Sequence, residues 1–429
     1  MLLIYTQKIT PRITYSFKQV CTQILGIPVG FTSKIEEFVA HEGMKISYGK
    51  QSLANEVFIQ NVDLLLEQGL SDIEIKVQDW DGVPCFYAVS ENSSLPFDIF
   101  AASFYLLSRY EEYLPHVKDK EGRFPASESL AFQEEFLEKP VVDIWAYKFR
   151  EVLKQRFPNY DFPKREFSTE NIVSVTEVFC YKKKGAIRVL LGFFRDLVQL
   201  KPKYLLHRIQ VMLKVRRDPF DVYDQILKFR KKHLHPLKFM FQVSDFSTYD
   251  RNINHNRLEI QSLMKSVADY SEVGLQPGYY ANQNFEVLKE EKNRLENILK
   301  RPVLSALNNK YNLMLPDTYN NMIELEIKND YSMGFPEMFG FRAGTCSPFL
   351  FYDINFEITT PLRVHPYAIN MEAAKKLKET EIEYKVLEIK RQTKLVNGKL
   401  TCVFTNIDFS EYSNAKRNIS ILKMINEIQ

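Results

Sequence analysis

The stretch DYSMGFPEMFGFRAGTCSPFLF, Asp330 to Phe351, is the segment on which the reading of this chain turns. A strand-like lead (Ile327, Tyr331, Met333) runs into Gly334, Pro336, Gly340, Gly344 and Pro348, residues that set special backbone angles. A single arginine, Arg342, stands in a run otherwise free of positive charge. The combination has the form of an active-site loop, and its plain alternative is a glycine-punctuated loop carrying a surface arginine.

Outward from that loop, 429 residues suit two domains, and 45% hydrophobic with 26% charged residues is ordinary for a globular protein. A formal net charge of +3 is too small to point to nucleic acid. The aromatic content is high, with 23 Tyr and 32 Phe beside 2 Trp, which suits sugar stacking and a thick core equally. The five cysteines (Cys21, Cys85, Cys180, Cys346, Cys402) are scattered, odd in number and never in a Cys-x-x-Cys pair. That argues against a disulfide framework and a thiolate metal site, and for a reducing compartment. Met1 to Ile9 has no basic flank and too short an apolar core for a signal peptide, so it reads as a first strand. With no run of the ~20 apolar residues a membrane span needs, the expected location is the cytoplasm.

Thr10 and Pro11 make a cap and first-turn pair, and Ile13, Phe17, Val20 and Ile24 follow at helical spacing until Gly26. Ile73, Ile75 and Val77 alternate, Asp81-Gly82 supplies a hairpin turn, and Val83 to Val89 returns as the partner strand. Residues 95–115 form an almost wholly apolar helix that should be buried. Arg109, Glu111 and Glu112 near its end, with Arg123, suit a solvated helix end or a site. Val141, Trp145, Phe149 and Val152 make one apolar stripe, which places Trp145 in the core. Pro and charges without periodicity at residues 158–170 mark a domain boundary near residue 165.

From Lys182 to Arg217 eleven Lys or Arg face one acid, Asp196, interleaved with Leu, Ile, Val and Phe. Two ordinary solvated helices would account for this, and so would contact with an anionic membrane surface or an acidic glycan. His233 and His235 have a spacing two metal ligands on a strand would use, but they precede Pro236 and the next strand, where loop residues belong. Strand-like runs at Ile172–Thr176, Leu237–Val243, Glu272–Leu275, Pro302–Ala306, Ile327–Met333, Leu362–His365 and Leu400–Thr405 alternate with helical stretches, the clearest being Asn284 to Lys300. Such alternation implies parallel strands with crossover helices, and about seven units would close a barrel with its functional groups after the strands' C-terminal ends.

The string GFRAGTCSPF after DYSMG resembles the arginine loop of the polysaccharide deacetylase-like (NodB-homology) barrels, in a bacterial subgroup with an extra N-terminal domain. The helix at 95–115, GRFPASESLA (Gly122 to Ala131) and KPVVDIWAYKFREVLKQRFP (Lys139 to Pro158) resemble that subgroup's N-terminal module, in its order. DPFDVYD (Asp218 to Asp224), YDRNI (Tyr249 to Ile253) and EVGLQP (Glu272 to Pro277) resemble its scaffold strings. The resemblance implies a small N-terminal α/β module over 1–165 and an irregular (β/α)7-type, TIM-like deacetylase barrel over 166–429.

It also implies chemistry that this sequence lacks. De-N-acetylation in the family uses a divalent metal such as zinc, held by an Asp and two His, with a second Asp as base and a His as acid. Where the subgroup carries Asp-x-Asp, SVTEVFCYKKKG (Ser174 to Gly185) has neither Asp, only Glu177, and looks about four residues short. The string Gly-x-His-Pro-Ser-Tyr is Gly274 to Tyr279 with Gln276 at the ligand position, Ser-Arg-Gln-His is Ser305 to Asn308, and Trp-His-Asn is Phe404, Thr405, Asn406. Gln and Asn are poor zinc ligands and cannot transfer protons near neutral pH, although they hydrogen-bond sugar hydroxyls. Pro316 to Tyr319 and the loop with Arg342 survive; in the family that arginine orients the base.

The resulting expectation is a pseudoenzyme of surface-polysaccharide metabolism without metal or other cofactor, binding a glycan or a polysaccharide-biosynthesis enzyme through Gln276, Tyr279, Tyr280, Asn308, Arg342 and Asn406. Those following different strands should share one cleft, with Arg342 held by Asp330, Asp245 or Glu177. The enzymatic alternative is a hydrolase with a rearranged site drawn from Glu177, Asp245, Asp250 and Asp330 and assisted by Arg342. A third is a peripheral membrane scaffold acting through Lys182 to Arg217.

Overall fold

The computed structural model describes residues 1–233, 236–308 and 312–427. The chain divides into two compact units, one combining Met1–Ser168 with Tyr311–Thr401 and the other Thr169–Lys310 with Cys402–Gln429. Both are mixed α/β, and in both the central strand pairs run parallel.

The first unit opens on β1 (Leu2–Tyr5), flanked in parallel by β2 (Val29–Thr32) and β3 (Lys45–Gly49), with β4 (Val57–Gln60) outside β3. Helix α1 (Pro11–Phe17) starts as the sequence predicts: Thr10 accepts from the Ile13 N–H at 3.1 Å and Pro11 occupies the first turn. A π-helical turn carries it on to Ile24, and the short α2 (Ile35–Ala40) lies between β2 and β3. The hairpin forms about Asp81-Gly82, both at positive φ, but its strands are only β5 (Gln78–Asp79) and β6 (Pro84–Cys85). Ile73, Ile75 and Val77 stay outside it, and Ala88 bridges Phe97 instead, because Tyr87 turns the chain at φ +67°.

Helix α3 (Ile99–Leu107) is buried along its whole length and capped by Asp98, whose carboxylate accepts from the Phe100 and Ala101 N–H groups at 3.1 and 3.0 Å. Arg109 breaks it at φ +55° before α4 (Tyr110–Tyr113). After α5 (Leu130–Gln133) comes α6 (Val141–Arg156), whose Val141, Trp145 and Phe149 are buried, the indole N–H donating to the Pro84 carbonyl at 3.0 Å. Trp145 is therefore core.

In the second unit β7 (Ser168–Val175) is followed by α7 (Ala186–Val198), α8 (Pro202–Met212), α9 (Tyr223–His233), β8 (Leu237–Phe241), α10 (Leu258–Ala268), β9 (Glu272–Leu275), α11 (Phe285–Leu299) and β10 (Ser305–Ala306). The strands pair in parallel in the order β7-β8-β9-β10. From Thr169 on, β7 is buried residue after residue, as a parallel strand covered on both faces must be. Asn284 caps α11, and Leu288, Leu295 and Ile298 form its inner face. His235 and the side chain of His233 lie outside the described residues.

The chain then returns to the first unit with α12 (Asp317–Glu324), β11 (Asn329–Asp330), β12 (Phe349–Asp353), β13 (Ile358–Val364), β14 (Ile369–Asn370), α13 (Met371–Ala374) and α14 (Glu379–Leu395). β13 is parallel to β11 and antiparallel to β12. The strand expected over Ile327–Met333 is only two residues long, because the Asp330 carboxylate bends back to accept from the Ser332 N–H at 2.9 Å. β12, the tail of the glycine loop, is a strand that the sequence reading left inside the loop. β15 (Lys399–Thr405) and α15 (Ala415–Asn426) close the chain. Among the described residues no helix is long and apolar enough to cross a membrane.

Candidate functional site

The second unit contains a cavity of about 660 Å³. Its wall begins two residues after β7 with Glu177 and continues through Cys180 and Tyr181. Asp218 holds it: the buried carboxylate accepts from the backbone N–H groups of Cys180, Tyr181 and Lys182 at 2.8, 2.8 and 2.9 Å, and from that of Phe220 at 3.0 Å. The DPFDVYD string is thus a loop clamp, completed by the Tyr223 hydroxyl donating to the Val178 carbonyl at 3.0 Å.

From the other sides α7 and α8 contribute Arg188, Arg195, Tyr204 and Arg208, the segment after β8 contributes Phe246 and Arg251, and Tyr412 follows β15. Five cations (Lys184, Arg188, Arg195, Arg208, Arg251) line the cavity with one acid, Glu177. Glu177 accepts from Lys184 at 2.8 Å and Arg208 is bound by the buried Asp196 at 2.6 Å. Arg188 donates to the carbonyls of Lys184 and Asn252 at 2.7 and 3.1 Å and lies 4.2 Å from the Phe246 ring centre. Burial, then repulsion from Arg257, moves the Arg188 guanidinium below its ordinary value. That destabilised charge would be relieved by an anion.

The remaining lining is aromatic and hydrogen-bonded. The Tyr181 and Tyr412 hydroxyls are 2.8 Å apart, the Tyr412 hydroxyl is 2.9 Å from His207 Nδ1, and the Tyr204 and Tyr412 rings lie 4.7 Å apart. Burial pushes Cys180 and Tyr412 up to about 12 and holds His207 below its ordinary value. Near neutral pH the thiol and phenol are protonated and the imidazole is neutral. The cavity therefore offers cations, ring faces and hydroxyl groups rather than an activated thiolate or phenolate.

Of the residues predicted from the second unit, Glu177 lines this cavity and the others do not. Gln276 is buried at the end of β9 and accepts from the Ser174 hydroxyl at 2.7 Å. Asn308 is buried two residues after β10. Asn406 is buried and donates to the Glu177 carbonyl at 2.9 Å, while Thr405 caps a short turn with Asp408. Tyr280 is exposed and Tyr279 half-buried, the latter stacked on Tyr249 at 3.8 Å. Asp245 points outward and pairs with Arg294 at 2.9 Å. Asp250 is buried, accepting from Gln242 and the Tyr279 N–H at 2.5 and 2.8 Å. The basic run 182–217, weighed from sequence as an acidic-glycan or membrane contact, supplies Lys184, Arg188, Arg195, Tyr204 and Arg208 to this lining, whereas Phe246, Arg251 and Tyr412 carry no sequence signal of a site.

Arg342 belongs to the first unit, and its acceptors there are the two oxygens of Glu112, at 2.8 and 2.6 Å, and the Gly334 carbonyl at 3.3 Å. It is therefore not held by Asp330, Asp245 or Glu177. Arg109 donates to Glu112 at 2.7 Å, to Glu111 at 2.6 Å and to the Arg342 carbonyl. The four side chains form a buried cluster of two cations and two anions, which corrects the expectation of a solvated helix end. Burial opposes ionisation of Glu112, but Arg342 and Arg109 outweigh it and its carboxyl lies below the ordinary value. Asp330 is raised to about 6 by burial and accepts from the Tyr319 hydroxyl at 2.7 Å.

No group of three His, Cys, Asp or Glu among the described residues is arranged to hold a metal ion. Gln276, Asn308 and Thr405 offer two carboxamides and a hydroxyl, and the bonds of Gln276 and Thr405 are to neighbouring protein groups. These residues do not fit a zinc ion.

Residues 2–158 match a family of unknown function (DUF7033). No curated protein matches the chain. Among solved structures, a Mycobacterium smegmatis protein assigned as a polysaccharide deacetylase aligns at 10% identity over 63% of this chain and 87% of its own, with a TM-score of 0.40. A CE4 family pseudoenzyme from Bacillus anthracis aligns at 7% identity over 61% of this chain and 60% of its own, with a TM-score of 0.30. The polysaccharide deacetylase Bc1974 from Bacillus cereus aligns at 11% identity over 61% of this chain and 86% of its own, with a TM-score of 0.29.

Proposed function

We propose that this chain is a non-catalytic binding protein for an acidic glycan, built on a deacetylase-like barrel whose metal site has been lost. The observation that carries the reading is the cavity beyond β7, where Lys184, Arg188, Arg195, Arg208 and Arg251 surround ring faces from Tyr204, Phe246 and Tyr412 with Glu177 as the single acid. Guanidinium groups bind carboxylate, sulfate or phosphate substituents in paired hydrogen bonds, and sugar rings stack on aromatic faces. Of the carboxylates that would serve a rearranged hydrolase, Glu177 is bound by Lys184, Asp245 by Arg294, and Asp250 by Gln242 and the Tyr279 N–H.

Titration calorimetry with a sulfated or uronate-containing oligosaccharide and its neutral counterpart tests this. Binding of the charged ligand alone is expected, weakened about tenfold or more by Arg251→Glu at an exposed position. Chelator-sensitive release of acetate from an acetylated oligosaccharide would instead establish the hydrolase. Equal affinity for neutral and charged glycans would remove the role given to the arginines.

A further inference from the structure

The helical hairpin α7–α8 presents an apolar face that is left exposed among the described residues. In α7, Ile187, Leu190, Leu191, Phe194, Leu197 and Val198 are exposed, and their spacing of three, one, three, three and one puts them on one stripe of the helix. The stripe continues past the helix end at Leu200, which is 86% exposed, and on α8 and its exit at Leu206, Ile209, Leu213 and Val215. The opposite sides hold the hairpin together: Asp196 binds Arg208 from α8 at 2.6 Å, and Gly192 leaves room for that guanidinium.

The charges around this face have one sign. Lys201 and Lys203 stand at the bend between the helices and Lys214 at the far end of α8, all three exposed. Asp196, the sole acid between Lys182 and Arg217, is buried under Arg208. At 13 and 11 residues the helices rise only about 20 Å and 17 Å, too little to cross a bilayer. Short amphipathic helices with an apolar face, cationic flanks and no exposed acid match the interface of an anionic bilayer, where acyl chains receive the leucines and headgroup phosphates receive the lysines. A second copy of the chain fits less well, since a contact between two such faces would bring together flanks that carry only lysines, Lys201, Lys203 and Lys214, with no acid to pair them. We propose that α7 and α8 lie in the surface of an anionic membrane and hold the protein there, independently of any glycan.

The test is co-flotation of the full chain with vesicles of phosphatidylcholine containing phosphatidylglycerol, and of phosphatidylcholine alone, at low and high salt. Binding to the anionic vesicles is expected, falling about tenfold or more on pure phosphatidylcholine and with Lys201→Glu/Lys203→Glu/Lys214→Glu. Leu190→Glu/Phe194→Glu, at positions outside the cavity lining, should abolish it while circular dichroism and the unfolding midpoint stay unchanged. Leu190→Trp provides a direct reading on otherwise wild-type protein, because its emission should shift to the blue only with anionic vesicles. Absence of flotation, or no blue shift, overturns the proposal. So does a concentration-dependent dimer in light scattering that the Leu190/Phe194 pair disrupts, which would give this face to a second copy.

Discussion

Glu112 accepts from two arginines, Arg109 three positions before it and Arg342 230 positions after it. Removing the carboxylate leaves the buried Arg342 guanidinium facing a neutral amide while Arg109 keeps Glu111 at 2.6 Å, so Glu112→Gln is expected to cost on the order of 3–5 kcal/mol in urea unfolding. Adding Arg342→Met should return part of that loss, because the uncompensated cation goes with it. A loss within about 0.5 kcal/mol would mean the cluster is solvated. Glu291 makes the opposite kind of prediction. Burial, with Asp250 nearby, raises its carboxyl from the ordinary 4.5 to about 7, while the Gly278 N–H bond at 2.8 Å works the other way. The folded state then holds a proton the unfolded chain has released, so stability falls as pH rises from about 4.5 through about 7. Glu291→Gln should remove that slope, on the order of 3 kcal/mol across the window. Parallel pH profiles of the two proteins would refute the shift.

At the scale of elements, what was legible is what periodicity and capping encode locally. Helices α1 and α11 begin at Thr10 and Asn284 as their sequences state, and the Val141–Trp145–Phe149 stripe faces the core. The loop from Gly334 was recognised as special, but for the wrong surroundings. Gly340 and Gly344 are required because they adopt φ +137° and +62° and because a Cβ there would meet Leu137 at 2.6 Å and Leu106 at 2.7 Å. The loop is packed against its own unit, and no local pattern announces a neighbour some 200 residues distant. Strands β2, β3 and β4 stayed hidden for a related reason, since a parallel strand of four or five residues lacks the alternation and turn dipeptides that mark a hairpin. Asp218 offers an element-scale test. Asp218→Ala strands three N–H groups of the cavity turn and that of Phe220, and is expected to cost on the order of 2–4 kcal/mol and to abolish acidic-glycan binding. Retained affinity with intact stability would show that the turn holds itself.

Over the whole molecule, the chain passes between its two units three times, at Ser168/Thr169, Lys310/Tyr311 and Thr401/Cys402. Composition signals a linker near residue 165, but a return crossing inside a helix-and-strand alternation leaves no such mark. The first unit's later segment leans on its earlier one: the Asp143 carboxylate accepts from Thr345, from the Cys346 N–H and from Ser347, and Gln19 donates to the Pro348 carbonyl at 3.1 Å. A fragment of residues 166–429 is therefore expected to aggregate or to exchange its amide hydrogens rapidly over residues 330–351. A cooperatively folding monomer of that fragment would contradict this.

The separation of Glu112 from Arg342 also sets a clock. At roughly 5–20 residues per second, a ribosome that has placed Glu112 needs about 12–46 s to reach its partner 230 residues on. For that interval Glu112 lacks Arg342, and Asp143 lacks the Thr345, Cys346 and Ser347 groups it binds in the finished protein. Throughout it, α3, buried along its whole length in the finished unit, waits for the part of its cover that β12 and the loop at Gly344 supply, and the growing chain carries that apolar surface uncovered.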